Sequence, residues 1–348
     1  MFVAGEVNGW PEGALSDRLA ADAQGRIGWG WSPAHDRVVP VAEIDAAAPG
    51  LIARDRALLR RSRRDALLQT LAFGALGLAA ATIDPSGLII LAIALVSIDR
   101  WFANTQALRR LERDADDYRR GVADTARFGW WLSRQHTPAA QALVASIALA
   151  AVAQAVDGGM GHRFDVAAGA AALIPERIWA GEWWRLLSHG LMHASLAHML
   201  INLLSMYALA RLSEALAGRA AVILAFVIAV AAGGAASLIA PPHGISVGSS
   251  GGVFGLVGFL LVAVRRQAPP GLGAALTRGI ALMAVVSLVF WNVIDHAAHA
   301  GGLVAGLLVG ALVPTTAVER RGWEIAGWIA AAAWAMVTAH TLGLLLQP

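Results

Sequence analysis

The sequence predicts an all-α polytopic membrane protein, and three observations carry that prediction. The chain of 348 residues is 57% hydrophobic and only 15% charged, with a mean hydropathy of +0.59. A soluble domain of this length cannot usually hide that much apolar surface. Apolar runs of near-spanning length recur along the chain; there is no lysine, and the arginines cluster at the ends of those runs. That placement is the topology signal of a membrane protein.

Composition also removes several function classes. The pI of about 10.4 does not indicate nucleic-acid binding, because the arginines flank apolar runs rather than forming a patch. There is no cysteine, so disulfides, thiol nucleophiles and cysteine metal sites are excluded. The start, "MFVAGEVNGW", lacks the basic region and apolar core of a cleavable signal; the later spans would direct insertion themselves.

The elements follow in order. Residues 1–65 are mixed and polar, end in the basic run "RDRALLRRSRRD", and read as a cytosolic N-terminal segment to which the sequence assigns no fold. Residues 66–103 read as a membrane hairpin of two apolar runs, about 67–83 and 86–103, around the turn-forming "DPS". The second run is short before Asp99 and Arg100, so a full crossing and a shallow hairpin both stay open. Residues 104–137 read as a cytosolic linker helix with interfacial aromatics at Trp130 and Trp131.

The remainder reads as a membrane block. Spans are expected near 139–156, 191–213, 219–240, 250–265, 275–292, 296–314 and 323–345. Residues 158–188, with Trp179, Trp183 and Trp184, fit an interfacial loop. The arginine-bearing loops fall on the side of the linker. The positive-inside rule then places the N-terminus in the cytoplasm and Ser250 at the outer end of its helix.

Polar and ionisable side chains inside bilayer helices are costly and mark functional sites by default. Here they concentrate in three places. "HGLMHASLAHMLINLLSMY" holds His189, His193, His198 and Asn202; "GSSGG" puts Ser250 at a helix start; "DHAAHAGGLVAGLLVG" holds His299. His198 and Asn202, four apart, share one helix face. On a single ideal helix His198 would face about 140° away from His193, which argues against a zinc site.

One chemistry accommodates these residues. A serine hydroxyl needs a base to become a nucleophile, and His299 on a facing helix can take the proton and later return it to the leaving amine. The oxyanion needs aimed donors. Asn202, His198 and the backbone N–H of Ser250 at a helix start supply candidates, while Gly248 and Gly251 permit the tight turn and close approach. Gly251, Gly255 and Gly258 on one span, and Gly302, Gly306 and Gly310 on the other, are small residues at the spacing that lets membrane helices pack closely.

Together these motifs resemble the rhomboid intramembrane serine proteases over roughly residues 139–314. The matching pieces are the histidine-rich helix ending in His198 and Asn202, Gly248-Ser249-Ser250-Gly251, Ala298-His299-Ala300-Gly301-Gly302, and the loop pair Trp184-Arg185. The resemblance implies a six-helix rhomboid core at 138–314, with the N-terminal hairpin outside it and one extra C-terminal transmembrane helix in 315–348. It implies proteolysis of transmembrane protein substrates in the lipid bilayer by a Ser250–His299 dyad, without an aspartate and without a cofactor. Phe254 stands where the family often has a tyrosine stacked on the catalytic imidazole, and keeps the aromatic face.

Blander readings stand beside these. Ser250 alone is an ordinary small residue at a helix contact. His189 and His193 read as structural hydrogen-bonding histidines, His296 and His340 as interfacial or packed ones, and Arg185 as an anchor of its loop at the headgroup level. Asp295 reads as a helix cap rather than a third catalytic member. His243 lies in the loop before Ser250. "GSSGG" also fits the hydrolase elbow, but the strand and the acid–histidine order that elbow requires are missing. A client-binding relative would lack the serine or the histidine. A histidine-relay transporter would thread ionisable groups through the full membrane depth. The Ala-, Gly- and Arg-rich, Lys-free composition points to a bacterial plasma membrane, with an organelle left open.

Overall fold

Helices account for nearly all the regular structure. The computed structural model describes residues 2–3, 12–31, 34–35, 37–82, 87–156, 160, 164–240, 245–267, 273–274, 277–279, 281–282, 294–313 and 320–347. The chain falls into two units. One comprises residues 1–134 with 269–290; the other comprises 135–268 with 291–348.

The first unit has a fold that the sequence did not disclose. Strands β1 (Phe2–Val3), β2 (Trp29–Trp31) and β3 (Val39–Pro40) pair antiparallel in that order. With α1 (Glu12–Ala21) they lead into α2 (Ala48–Ala81), α3 (Gly87–Arg113) and α4 (Ala115–Ser133). Leu19, Val39, Val41, Ile44, Leu51 and Ala123 form its small apolar core. A polar knot sits beside it. Arg54 Nε donates to Asp55 Oδ1 at 2.8 Å, and its Nη1 donates to the Ile27 carbonyl at 2.7 Å. The Tyr118 hydroxyl donates to the other Asp55 oxygen at 3.1 Å.

Helices α2 and α3 pack against each other and extend well beyond the apolar runs at about 67–83 and 86–103. The helix begins at Ala48 rather than near 67, with a proline in its first turn, where a missing N–H costs nothing. The apolar stretches leave Leu67, Leu68, Leu71, Leu76 and Leu78 exposed on α2, and Ile93, Val96 and Phe102 on α3. Helix α4 is capped by Asp114, whose side chain accepts the Asp117 N–H. Trp130 is exposed on this helix, with the Arg134 guanidinium 4.5 Å above its ring.

The second unit is a bundle with a large apolar core and a smaller apolar cluster. Its helices are α5 (Pro138–Val156), the short α6 (Phe164–Ala171), α7 (Pro175–Trp179) and α8 (Arg185–Ser188), then α9 (Leu196–Ala217), α10 (Arg219–Ile239), α11 (Ser250–Gln267), α12 (His296–Leu312) and α13 (Arg320–Leu345). Among the described residues, α5, α9, α10 and the Gly322–Leu345 part of α13 are long and apolar enough to cross a membrane. Helices α11 and α12 are apolar and shorter. The span expected near 275–292 lies largely outside the described residues.

Helix α10 is the hub. Phe226 on it is fully buried with Val253, Leu256 and Phe259 of α11, and Trp334 of α13. Trp334 meets Phe226 edge to face at 5.2 Å and donates its indole N–H to Ser146 of α5 at 2.8 Å. The C-terminal helix is thus packed into the bundle. Helix α9 buries one stripe at four-residue spacing, Asn202, Met206, Ala210 and Glu214, and exposes Leu196, Leu200, Ile201 and Leu204. At its end, buried Glu214 accepts the N–H groups of Ala140 at 2.8 Å and Ala139 at 3.2 Å. It thereby satisfies orphan donors at the positive end of α5.

The second span starts later than the apolar pattern suggested. Ser195 caps α9, accepting the His198 N–H at 3.2 Å, so the helix begins at Leu196 rather than near 191. Residues 189–191 form a 3₁₀ turn, and Met192 is extended. His189 and His193 therefore sit in a buried turn before the span.

Candidate active site

The site is built where α11 and α12 touch. A methyl placed on Gly302 or Gly306 would fall inside the contact distance of the Gly251 or Gly255 carbonyl oxygen, and one on Gly310 would lie 2.9 Å from the Phe259 carbonyl oxygen. The helices are thus in backbone contact along the predicted glycine seam, an approach that side chains would prevent. Ser250 opens α11 at one end of that seam. His299 lies one turn into α12, preceded by Ala298, whose carbonyl oxygen is 3.3 Å from where a Gly251 methyl would stand.

The His299 ring stacks on Phe254, with centroids 4.2 Å apart and planes inclined by 18°. Phe254 is one helical turn past Ser250, so the aromatic face expected from the sequence holds the imidazole against the serine's own helix. Among the described residues, the Ser250 hydroxyl and the His299 ring are not hydrogen-bonded to one another, and His299 Nδ1 is buried without a partner. Catalytic contacts often tighten only when substrate is bound.

The turn before Ser250 is fixed from several sides. Leu173 and Ser246 exchange backbone hydrogen bonds at 3.0 and 3.3 Å. The Gly248 N–H donates to the His189 carbonyl at 2.9 Å. Gly248 has φ +121°, a conformation that L-residues rarely adopt. Its missing side chain also makes room: a Cβ there would stand 2.8 Å from His198 Cε1 and 3.7 Å from Asn202 Nδ2. His198 and Asn202 therefore face the turn that carries Ser250. The Asn202 amide meanwhile donates to the His198 carbonyl at 3.2 Å.

His193 and His198 do not face apart. Their rings meet edge to face with centroids 5.2 Å apart. The 140° separation assumed one continuous helix, whereas the Ser195 cap puts His193 outside it. The His193 backbone is clamped by Gln154 of α5, which accepts its N–H at 3.0 Å and donates to its carbonyl at 2.7 Å. Both His193 ring nitrogens are buried without a hydrogen-bond partner. His189 is buried with Nδ1 3.0 Å from the Arg185 carbonyl, and His340 packs edge to face on Trp184 at 4.6 Å.

Arg185 anchors its loop from inside rather than at the headgroup level. It is 1% exposed. Its guanidinium donates to the Ala172 carbonyl at 2.7 Å, the Gly169 carbonyl at 2.8 Å and Glu182 at 2.5 Å. Asp295 caps α12, with Oδ1 accepting the Ala298 N–H at 2.9 Å. Its other oxygen accepts the hydroxyls of Ser237 at 2.5 Å and Ser246 at 2.6 Å. Among the described residues, neither oxygen is hydrogen-bonded to the His299 ring. His243 lies outside the described residues. Sequence reasoning missed Gln154, Ser237 and Ser246, although Gln154 and Ser237 are polar residues inside apolar spans, the same signal that exposed the histidines.

Fold and site define an all-α polytopic membrane protein with a serine and a histidine on neighbouring helices beside a histidine–asparagine pair. Residues 180–315 match the family model of the rhomboid domain. The chain is similar to the rhomboid protease GluP of Bacillus subtilis, 31% identical over 134 residues, which is 38% of this chain and 26% of that protein. It is also similar to the rhomboid protease GlpG of Photorhabdus laumondii, 32% identical over 135 residues, and to that of Yersinia enterocolitica, 34% identical over 134 residues. Those stretches cover 37% and 36% of this chain, and 46% of each GlpG. The chain thus matches between about a quarter and about a half of the length of these relatives.

Proposed function

We propose that the protein is an intramembrane serine endopeptidase that cleaves transmembrane helices of membrane protein substrates. The observation that carries this reading is the backbone contact of α11 and α12, which sets Ser250 and His299 on adjoining turns with Phe254 stacked on the imidazole. In the reaction, His299 takes the Ser250 Oγ proton as Oγ bonds to the scissile carbonyl carbon. The carbonyl oxygen becomes an oxyanion, and the imidazolium then protonates the leaving amine as the C–N bond breaks. Water then attacks the acyl carbon as His299 takes its proton, and the ester bond to Ser250 breaks as the imidazolium returns that proton to Oγ, releasing the carboxyl product and restoring the dyad. His198, Asn202 and the backbone N–H at the start of α11 are the oxyanion donors of this reading. Gly248 supplies the space that lets the pair approach.

The arginine distribution supports a cytoplasmic N-terminal segment in a bacterial plasma membrane and a site open to the opposite side. The test is fluorophosphonate labelling of the full chain in detergent and in liposomes, with cleavage of a transmembrane substrate measured in parallel. Labelling and cleavage should both vanish in Ser250→Ala and His299→Ala. A wild-type protein that neither labels nor cleaves in several lipid compositions would sink the reading in favour of client binding without proteolysis.

A further inference from the structure

Four residues before Ser250 stands Ser246, and four residues before His299 stands Asp295. The two are hydrogen-bonded at 2.6 Å. One Asp295 oxygen receives this hydroxyl and that of Ser237 on α10, while the other caps α12 through the Ala298 N–H. A single carboxylate therefore joins the hub helix, the turn leading to the serine and the helix bearing the histidine. It lies outside the glycine seam, which fixes how closely α11 and α12 approach but not the path of the turn entering α11.

We propose that Asp295 is a positioning residue that, through Ser237 and Ser246, sets the register of Ser250 against His299. The inference rests on the protease reading above. Both carboxylate oxygens are occupied by the Ala298 N–H and the two hydroxyls, so Asp295 acts through geometry and not as a third member of a proton relay. Backbone bonds to Leu173 and His189 still hold the turn, so loss of the clasp would shift the serine rather than release it, and a misplacement of about 1 Å costs catalysis roughly a hundredfold.

The experiment measures kcat and KM for a transmembrane substrate in liposomes, the fluorophosphonate labelling rate, and the thermal midpoint. The Ser237→Ala/Ser246→Ala double variant keeps the helix cap. It should lower kcat and the labelling rate, read well below the midpoint, about tenfold to a hundredfold with KM nearly unchanged, and it should also lower the midpoint because one Asp295 oxygen loses both its partners. Asp295→Ala should lose at least as much. Asp295→Asn should restore most of the rate, because an asparagine oxygen still caps the helix and its amide can donate to the serine oxygens. Trp334→Ala serves as a purely structural control, lowering the midpoint while leaving the labelling rate well below that midpoint unchanged. Wild-type rates in the double variant would overturn the proposal, as would an Asp295→Asn protein as slow as Asp295→Ala, which would point to a need for charge. An inactive wild type would instead overturn the protease reading itself.

Discussion

The imidazole of His299 lies face to face with the ring of Phe254, 4.2 Å away and inclined by 18°. The stack couples the proposed base to the helix that carries the nucleophile, and it needs no hydroxyl. Phe254→Tyr should therefore keep wild-type kcat. Phe254→Ala removes a contact worth about 0.5–1.5 kcal/mol, so kcat should fall about twofold to tenfold if the ring holds the imidazole in its reactive pose. Steady-state kinetics on a transmembrane substrate check this. An alanine variant at full kcat would reduce the stack to packing.

His198 and Asn202 meet the proposed nucleophile through the gap that Gly248 leaves. Asn202→Ala should slow cleavage without changing substrate binding, by up to about a hundredfold to a thousandfold, the range for loss of one full oxyanion donor. Gly248→Ala should be as harmful by another route. Its φ of +121° is strained for alanine, and the new methyl would stand 2.8 Å from the His198 ring. A fast Asn202→Ala enzyme would remove that side chain from the mechanism, and a fast Gly248→Ala enzyme would show that the turn relaxes. Single-turnover labelling separates the two variants from folding defects.

At the far end of α9, buried Glu214 holds two N–H groups of the first turn of α5. Glu214→Ala leaves two buried donors unpaired, each costing about 1–3 kcal/mol. Glu214→Gln keeps one acceptor and loses the favourable charge at the helix N-terminus. The thermal midpoint in detergent should fall in the order wild type, Gln, Ala. Equal midpoints would mean that water replaces the carboxylate.

The residues of the proposed site were legible because the membrane makes polar residues conspicuous. The seam of Gly251, Gly255, Gly302 and Gly306, the serine at a helix start and the histidine one turn into its neighbour all follow from spacing along single helices. The closeness of His193 to His198 did not, because one cap at Ser195 decides whether the two residues share a helix. Ser246 and Asp295 escaped for a different reason: their contact joins segments 49 residues apart, and no periodicity reports it. The N-terminal unit was illegible because β2 spans only three residues, too few for alternation to declare a strand. Its helix α2 continues through the arginine-rich stretch that composition marked only as polar.

That N-terminal unit makes its own prediction. Burial pushes the Tyr118 phenol well up from its ordinary value, and the charge of Asp55 beside it and their hydrogen bond push the same way. A raised folded-state value means that the contribution of this group is fully present below the unfolded phenol value of about 10. It is lost as pH rises through the folded value. Stability of the unit should thus fall above about pH 10 in the wild type. Tyr118→Phe should abolish that dependence and cost about 1 kcal/mol at neutral pH for the lost hydrogen bond. The chain has two tyrosines, so absorbance titration near 295 nm can compare wild type with Tyr118→Phe. The phenol that disappears in the variant should ionise only above the ordinary range near pH 10, together with loss of structure around Asp55. If the missing phenol instead ionises in the ordinary range near pH 10, Tyr118 is open to water and the polar knot of Arg54, Asp55 and Tyr118 does not hold the unit together.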